Sequence, residues 1–349
     1  MNWKKISVYA VVALFLISGV GYYFAGLQVY KSATGTNIEC NSHKDNLPTE
    51  FTINGYGTKI SEVGAENMSE TAQNLSQFYF DGYENVSIDL EEEDIMISTW
   101  IKETNSSRPW VILVHGIRSC KANHEVLLPA GMLVKADFNV VLMDMRDHWK
   151  STIEDNQVSA GQKEWRDMVG VHDYLVNERG VDAEKIGIFG ASMGAGTSGI
   201  AFSQHGIQAA WLDSPFSNMG DIISEELENL GYPAFLKQAG IIAGIINSGE
   251  NLVKYDPIDA VENIEGKSIY VVHGAQDSRI QVHHGEEFCN ALNQSSGAEN
   301  TGCWIEDSSI TFPRGGDGED FNLNHITLML THTDEYEQRM VGFFEASLA

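Results

Sequence analysis

The chain has 349 residues, 43% of them hydrophobic, enough for one large domain with a sizeable core. Its 49 acidic residues against 22 basic ones give a net charge of −27, so nucleic acid is excluded as a partner and anionic membrane surfaces are poor ones, since both are bound through basic patches.

Lys4 and Lys5 precede an uncharged run from Ile6 to Tyr30, longer than the roughly 20 residues that a spanning helix needs. Lys31 and Ala33 flank Ser32, a poor match to the small-residue cleavage site of a signal peptide. Residues 1–30 therefore read as an uncleaved anchor. Positive charge before the span places the N-terminus in the cytoplasm and the rest of the chain outside. Residues 31–83 are polar and read as a stalk and extension, with a small helical segment from Glu66 to Tyr79.

From residue 84 to the end the pattern is regular. NVSIDL and DIMISTWI alternate apolar and polar residues and predict an antiparallel hairpin. PWVILVHG is a continuous apolar run, as a strand buried on both faces requires. The helix HEVLLPAGMLVKA, the strand FNVVLMDM, the helix EWRDMVGVHDYLVNE and the strand KIGIFG follow. AAWLD, SIYVVHG and TGCWIE read as further strands, and DEYEQRMVGFFEAS as the closing helix. Strands alternating with helices predict a mostly parallel sheet covered on both faces. Residues 216–256 are helical and partly very apolar, and at the carboxyl ends of the strands they would form a lid.

An outside location permits disulfides among Cys40, Cys120, Cys289 and Cys303. Cys289 late in a helix and Cys303 early in a strand could meet, but four cysteines allow three full pairings and the sequence chooses none. No C-x-x-C spacing occurs, so no zinc site is expected.

Gly190-Ala191-Ser192-Met193-Gly194 stands where a buried strand gives way to a small-residue helix. This G-x-S-x-G context is the nucleophile elbow, a tight turn that lifts a serine hydroxyl above the sheet. Serine is a weak nucleophile alone, so a base and an orienting acid must follow in the chain. Asp277 lies just beyond the strand SIYVVHG and is the acid of choice, with Asp213 at the end of AAWLD as its rival. His325 lies in the loop before the last helix and is the expected base, whereas His332 falls in the first turn of that helix. The amides of Met193 and Ile117 are the expected oxyanion donors, and His115 would hold the loop that carries Ile117.

These pieces, in this order, resemble the α/β-hydrolase superfamily. Within it they are similar to bacterial membrane-anchored serine hydrolases of the prolyl-oligopeptidase-like and acylglycerol-lipase-like kind. The matching stretches include VHGIRSCKANHEVLLPAG, IGIFGASMGAGT, LDSPF, VVHGAQDSRI and NHITLMLTHTDEYEQRMVGFF. The resemblance implies an α/β-hydrolase domain over 84–349 with a helical lid, a triad of Ser192, Asp277 and His325, and no metal or cofactor. The apolar lid and the acidic composition point to carboxylic esters with a moderately apolar acyl group as substrates, with short peptides as the alternative. A non-catalytic binding role is the alternative of another class. One departure stands out: where such hydrolases read D-x-R-G-H-G-x-S, this chain has Asp144-Met145-Arg146-Asp147-His148-Trp149-Lys150-Ser151. With both glycines replaced, a reshaped loop is expected, with Trp149 in the substrate pocket.

Overall fold

The computed structural model describes residues 3–36, 38–40, 43–55, 58–59, 65–312 and 321–349, with the backbone alone at 3–17, 54–55, 58–59, 312 and 321. A sheet of eight strands forms the centre. In chain order these are β1 (Glu84–Leu90), β2 (Ile95–Lys102), β3 (Trp110–Val114), β4 (Asn139–Met143), β5 (Ile186–Ala191), β6 (Ala209–Asp213), β7 (Ser268–Gly274) and β8 (Asn300–Glu306). Across the sheet they run 8-7-6-5-3-4-2-1. All neighbours from β8 to β4 are parallel, and β2 and β1 add an antiparallel edge. Every residue of β3, β4, β5 and β6 is buried, which is why these strands read as unbroken apolar runs.

Helices cover both faces. One face carries α2 (His124–Lys135) and the closing helix α8 (Thr333–Ser347), whose Phe344 meets Phe138 and whose Tyr336 and Phe343 meet Trp211 of β6. The other carries α3 (Trp165–Asn177), α4 (Met193–Gln204) and α7 (Val282–Gln294), closed over Ile112, Ile188 and Val271. Between β6 and β7 lie α5 (Met219–Asn229) and α6 (Lys237–Ser248), inside the segment expected as a lid.

The described residues before β1 differ from expectation. The described residues of 31–83 pack onto the domain where a stalk was expected: Cys40, Phe51, Ile53, Phe78 and Phe80 are buried in the same core as α2. The helix expected over 66–79 shrinks to Glu70–Gln73 and a single 3₁₀ turn at Leu75–Phe78. The cause is tertiary, because Phe78 lies so close to α2 that a Cβ on Gly131 would stand 2.2 Å from its carbonyl oxygen. A Cys40–Cys120 disulfide ties this layer to the loop after β3, and Cys289–Cys303 joins α7 to β8.

α1 runs from Trp3 to Thr34, past the expected boundary at residue 30. Its second half lies against α6, where a Cβ on Gly26 would meet the Ala239 carbonyl oxygen at 2.1 Å. Much of the expected anchor falls on residues 1–17, whose side chains lie outside the described residues. Among the described residues, no helix is long and apolar enough to cross a membrane.

Gly131→Ala tests whether residues 65–83 are a packed layer. Without that layer the change would stabilise α2 by about 1 kcal/mol through helix propensity. With it, overpacking should cost about 1–3 kcal/mol, read from urea unfolding of the full chain.

Candidate active site

Ser192 sits at the N-terminus of α4 with φ 55° and ψ −122°, a left-handed conformation that non-glycine residues rarely adopt. The flanking glycines make this possible. A Cβ on Gly190 would lie 2.4 Å from the Gly194 carbonyl oxygen, and one on Gly194 would lie 2.4 Å from that of His115. The turn is therefore wedged against the end of β3, and the Ser192 amide is fixed by donating to the Asp213 carbonyl at 2.9 Å.

The structure brings Ser192, His325 and Asp277 together. His325 Nε2 is 2.8 Å from Ser192 Oγ, and its Nδ1 is 2.7 Å from Asp277 Oδ2. Burial works to raise the Asp277 carboxyl, but the His325 and His273 imidazoles and the Ile280 amide outweigh it and hold the group below the usual range. An ionised Asp277 only accepts, so Nδ1 of His325 carries the proton and Nε2 is free to accept from Ser192. The amides of Arg279 and Ile280 donate to Asp277 Oδ1 at 2.8 and 3.0 Å, which fixes the carboxylate in its turn.

Asp213, the rival acid, has other hydrogen-bond partners. It accepts from Tyr336 Oη at 2.7 Å and from Ser214 Oγ at 3.1 Å, and Trp211 Nε1 donates to the same tyrosine oxygen at 3.0 Å. Burial pushes its carboxyl up to about 7, against those hydrogen bonds. His332 is also set apart, with its Nδ1 2.8 Å from Thr331 Oγ1 and its ring against Trp304.

Met193 opens α4, so its amide belongs to the first turn, where intrahelical partners are lacking. Ile117 lies beside it in the wall of one cavity. His115 is buried and held neutral by burial and by the neighbouring His148. Its Nε2 accepts the Met145 amide at 3.2 Å, so Nδ1 donates to the Gly116 carbonyl at 2.7 Å and fixes the loop as expected.

Two residues that sequence reasoning missed hold the same loop. Glu125 Oε1 accepts from the Gly116 amide at 2.9 Å and from Ser119 Oγ at 2.7 Å. Arg118 donates to the carbonyls of Gly35, Ser32 and Ala33 at 2.9, 3.0 and 3.1 Å, which caps the end of α1. Glu125 reads in sequence as an ordinary first-turn acid of α2, and nothing local ties Arg118 to residues 85 positions earlier.

A cavity of about 100 Å³, open to solvent, adjoins Ser192. Its walls are chiefly aliphatic, with Ile117, Val158, Ile222, Ile223, Leu227 and Ile280 joined by Phe216, Ala33 and Thr34. Glu226 and Arg279 also reach it but pair with each other at 2.5 Å. Trp149 does not line it. That ring lies under Lys121 at 4.9 Å and edge-on to Trp100. The loop around it keeps the handedness that glycines would give, since Asp147 and Trp149 have φ of 60° and 37°. Asp147 Oδ1 accepts the amides of Glu154, Asp155 and Asn156, which offsets the strain.

The comparisons agree with this architecture. A family model described as the prolyl oligopeptidase family matches residues 131–307, which include Ser192 and Asp277 but end before His325. An esterase of Pyrococcus furiosus superposes with a TM-score of 0.60 at 20% identity, over 79% of this chain and 95% of that one. The acylaminoacyl peptidase of Pyrococcus horikoshii gives 0.53 at 16%, over 77% of this chain and 42% of that one. Est1E of Butyrivibrio proteoclasticus, solved with ferulic acid, gives 0.52 at 16%, over 75% and 98%. These likenesses establish a shared α/β-hydrolase fold. No curated protein sequence matches the chain.

The two aspartates should separate in two measurements. Asp277→Asn should lose most activity, and Asp213→Asn should retain most of it. Stability should respond at Asp213 instead. Below an unfolded value of 3.8 both states hold the proton. As pH rises toward 7 the unfolded carboxyl ionises first, so stability is lost through that window and levels off above it. Asp213→Asn should therefore gain on wild type by a few kcal/mol more at about pH 8 than at about pH 4 in urea unfolding. An equal difference at both pH values would count against a neutral Asp213.

Proposed function

We propose, from the premise that the chain belongs to the prolyl oligopeptidase family, that this serine hydrolase cleaves carboxylic esters with a moderately apolar acyl group. The observation that carries the ester reading is the aliphatic cavity beside Ser192, whose two charged residues neutralise one another. An acyl chain gains by leaving water for such walls, at about 25 cal/mol per Å² of apolar surface. A peptide would bring amide groups that need partners there.

In this reading Ser192 Oγ attacks the ester carbonyl while its proton passes to His325 Nε2. Asp277 holds the imidazole and stabilises its cation. The amides of Met193 and Ile117 receive the negative oxygen, each such donor being worth about 3–4 kcal/mol in the transition state. The alcohol departs with the proton from His325. Water, deprotonated by His325, then releases the acid and restores Ser192.

The same reading takes residues 1–30 as a single-pass anchor with the catalytic domain outside the cytoplasm. The uncharged run from Ile6 to Tyr30 behind Lys4 and Lys5 supports this. So do the two disulfides, which persist in oxidising compartments.

Ser192→Ala should abolish both fluorophosphonate labelling and ester hydrolysis while the protein stays folded. A panel of p-nitrophenyl esters of graded chain length, run beside aminoacyl and prolyl anilides, tests the substrate class. Faster anilide than ester turnover would move the assignment to a peptidase. In cell fractionation the full chain should sediment with membranes, and a processed, soluble form would refute the anchor.

A further inference from the structure

The second half of α1, the turn Ala234–Leu236 and the helix α6 that follows it present an uncharged apolar surface to solvent. Phe235, Ile246 and Phe24 are 70%, 63% and 61% exposed, Val20 is 56% exposed, and Ile242 and Ile245 are 47% and 37% exposed. Ile242, Ile245 and Ile246 share one face of α6, at helical spacing. The opposite face, with Ala239, Gly240, Ala243 and Gly244, is buried, Gly240 against Val29 and Gly244 against Tyr30 of α1. The sole charged residue of α6, Lys237, turns inward and donates to the Gly220 carbonyl at 2.6 Å and to Ser224 Oγ at 2.8 Å. On a chain of net charge −27, a contiguous uncharged apolar face marks an interaction surface.

We propose that this face seats in a zwitterionic lipid bilayer, and that the substrate is accordingly a bilayer-resident acyl ester. The substrate part rests on the ester-hydrolase reading above. Continuity identifies the partner: Val20 and Phe24 stand on the same helix as the uncharged run that begins at Ile6. Lys5 and Lys31 bracket that run at about 39 Å along a helix, close to a bilayer with its headgroups. Tyr22 and Tyr23, residues of the interfacial type, tie α1 to this segment, Tyr22 Oη donating to the Phe235 carbonyl of the turn before α6 at 3.0 Å and Tyr23 Oη accepting from Asn247 Nδ2 of α6 at 3.1 Å. The net charge opposes an anionic surface, which leaves zwitterionic lipid. The end of α1 also reaches the site, because Ala33 and Thr34 help to wall the cavity beside Ser192. An acyl chain leaving the bilayer along α1 would thus arrive at the cavity.

The full chain, reconstituted in phosphatidylcholine vesicles, provides the test. Ile246→Trp should add fluorescence, relative to wild type, that brominated phosphatidylcholine quenches. Ile246→Glu should slow hydrolysis of a vesicle-borne long-chain ester by about tenfold, the worth of ~1.4 kcal/mol. Hydrolysis of soluble p-nitrophenyl butyrate by the same variant should stay within about twofold of wild type, which also verifies folding. If the brominated lipid leaves the added fluorescence of Ile246→Trp unquenched, or if Ile246→Glu slows both esters equally, the proposal is overturned. A wild-type dimer in light scattering that Ile246→Glu dissociates would assign the face to a second copy instead. Quenching needs no turnover, so bilayer seating is judged even if wild type cleaves neither ester, a result that would refute the ester reading alone.

Discussion

The site depends on one steric constraint, the wedge of the turn between β5 and α4 against the end of β3. Gly190 and Gly194 touch backbone on opposite sides of Ser192, and only hydrogen fits at either position. This contact forces Ser192 into its positive φ and stands its hydroxyl clear of the sheet. It also sets the distance to the loop after β3, since a Cβ on Gly116 would already lie 3.1 Å from that of Ser192. The strained residue persists because neighbouring strands over-determine it, through the Asp213 carbonyl on one side and the His115 carbonyl on the other.

The loop after β3 is held as firmly as the turn it faces. Burial raises the Glu125 carboxyl, opposed by the Gly116 and Ser119 hydrogen bonds that it accepts. Lys121 pairs with Asp144 in the interior, and its amide donates to the same carboxylate at 2.8 Å. Arg118 and the Cys40–Cys120 disulfide then carry the restraint outward to α1 and the layer behind it. The N-terminal segment is thereby coupled to the proposed oxyanion donor Ile117 by a charged tie one residue away and a covalent tie three residues away. Loop placement matters here because an oxyanion donor acts only when it is aimed before the charge develops.

The core of the fold was legible from residue 84 onward because the strands are buried on both faces and leave unbroken apolar runs. Ser192, Asp277 and His325 were legible because each lies where a strand, or the last helix, meets a loop, and the structure joins them by hydrogen bonds. The packing of the described residues of 31–83 was not legible because it comes from scattered aromatics such as Phe51 and Phe78 within polar sequence. No period marks such a segment, and the groove that receives it belongs to α2. Trp149 was misplaced for a related reason: its neighbours Trp100 and Lys121 are distant in the chain. At Asp147, where a glycine was expected, three accepted amide hydrogen bonds offset the positive φ, a compensation that the sequence does not display.

What holds the segment over the cavity follows from comparing its ionic and apolar ties. Arg279 and Glu226 meet at 2.5 Å, but the arginine side chain is 32% exposed, and such pairs contribute about 0–1 kcal/mol. His283 Nε2 lies 2.7 Å from Glu225, on the same helix α5. His284 adds a third tie, accepting the Ser217 amide at Nδ1, so that its Nε2 carries the proton toward Glu225 at 3.3 Å. Against these stand Leu227 and Phe216, each 2% exposed, and burying such a side chain is worth about 1.5–3 kcal/mol. Apolar contact therefore dominates, and it includes the wall formed by Ala33 and Thr34 at the end of α1. The end of α1 and the helix α5 therefore wall the cavity beside Ser192 together.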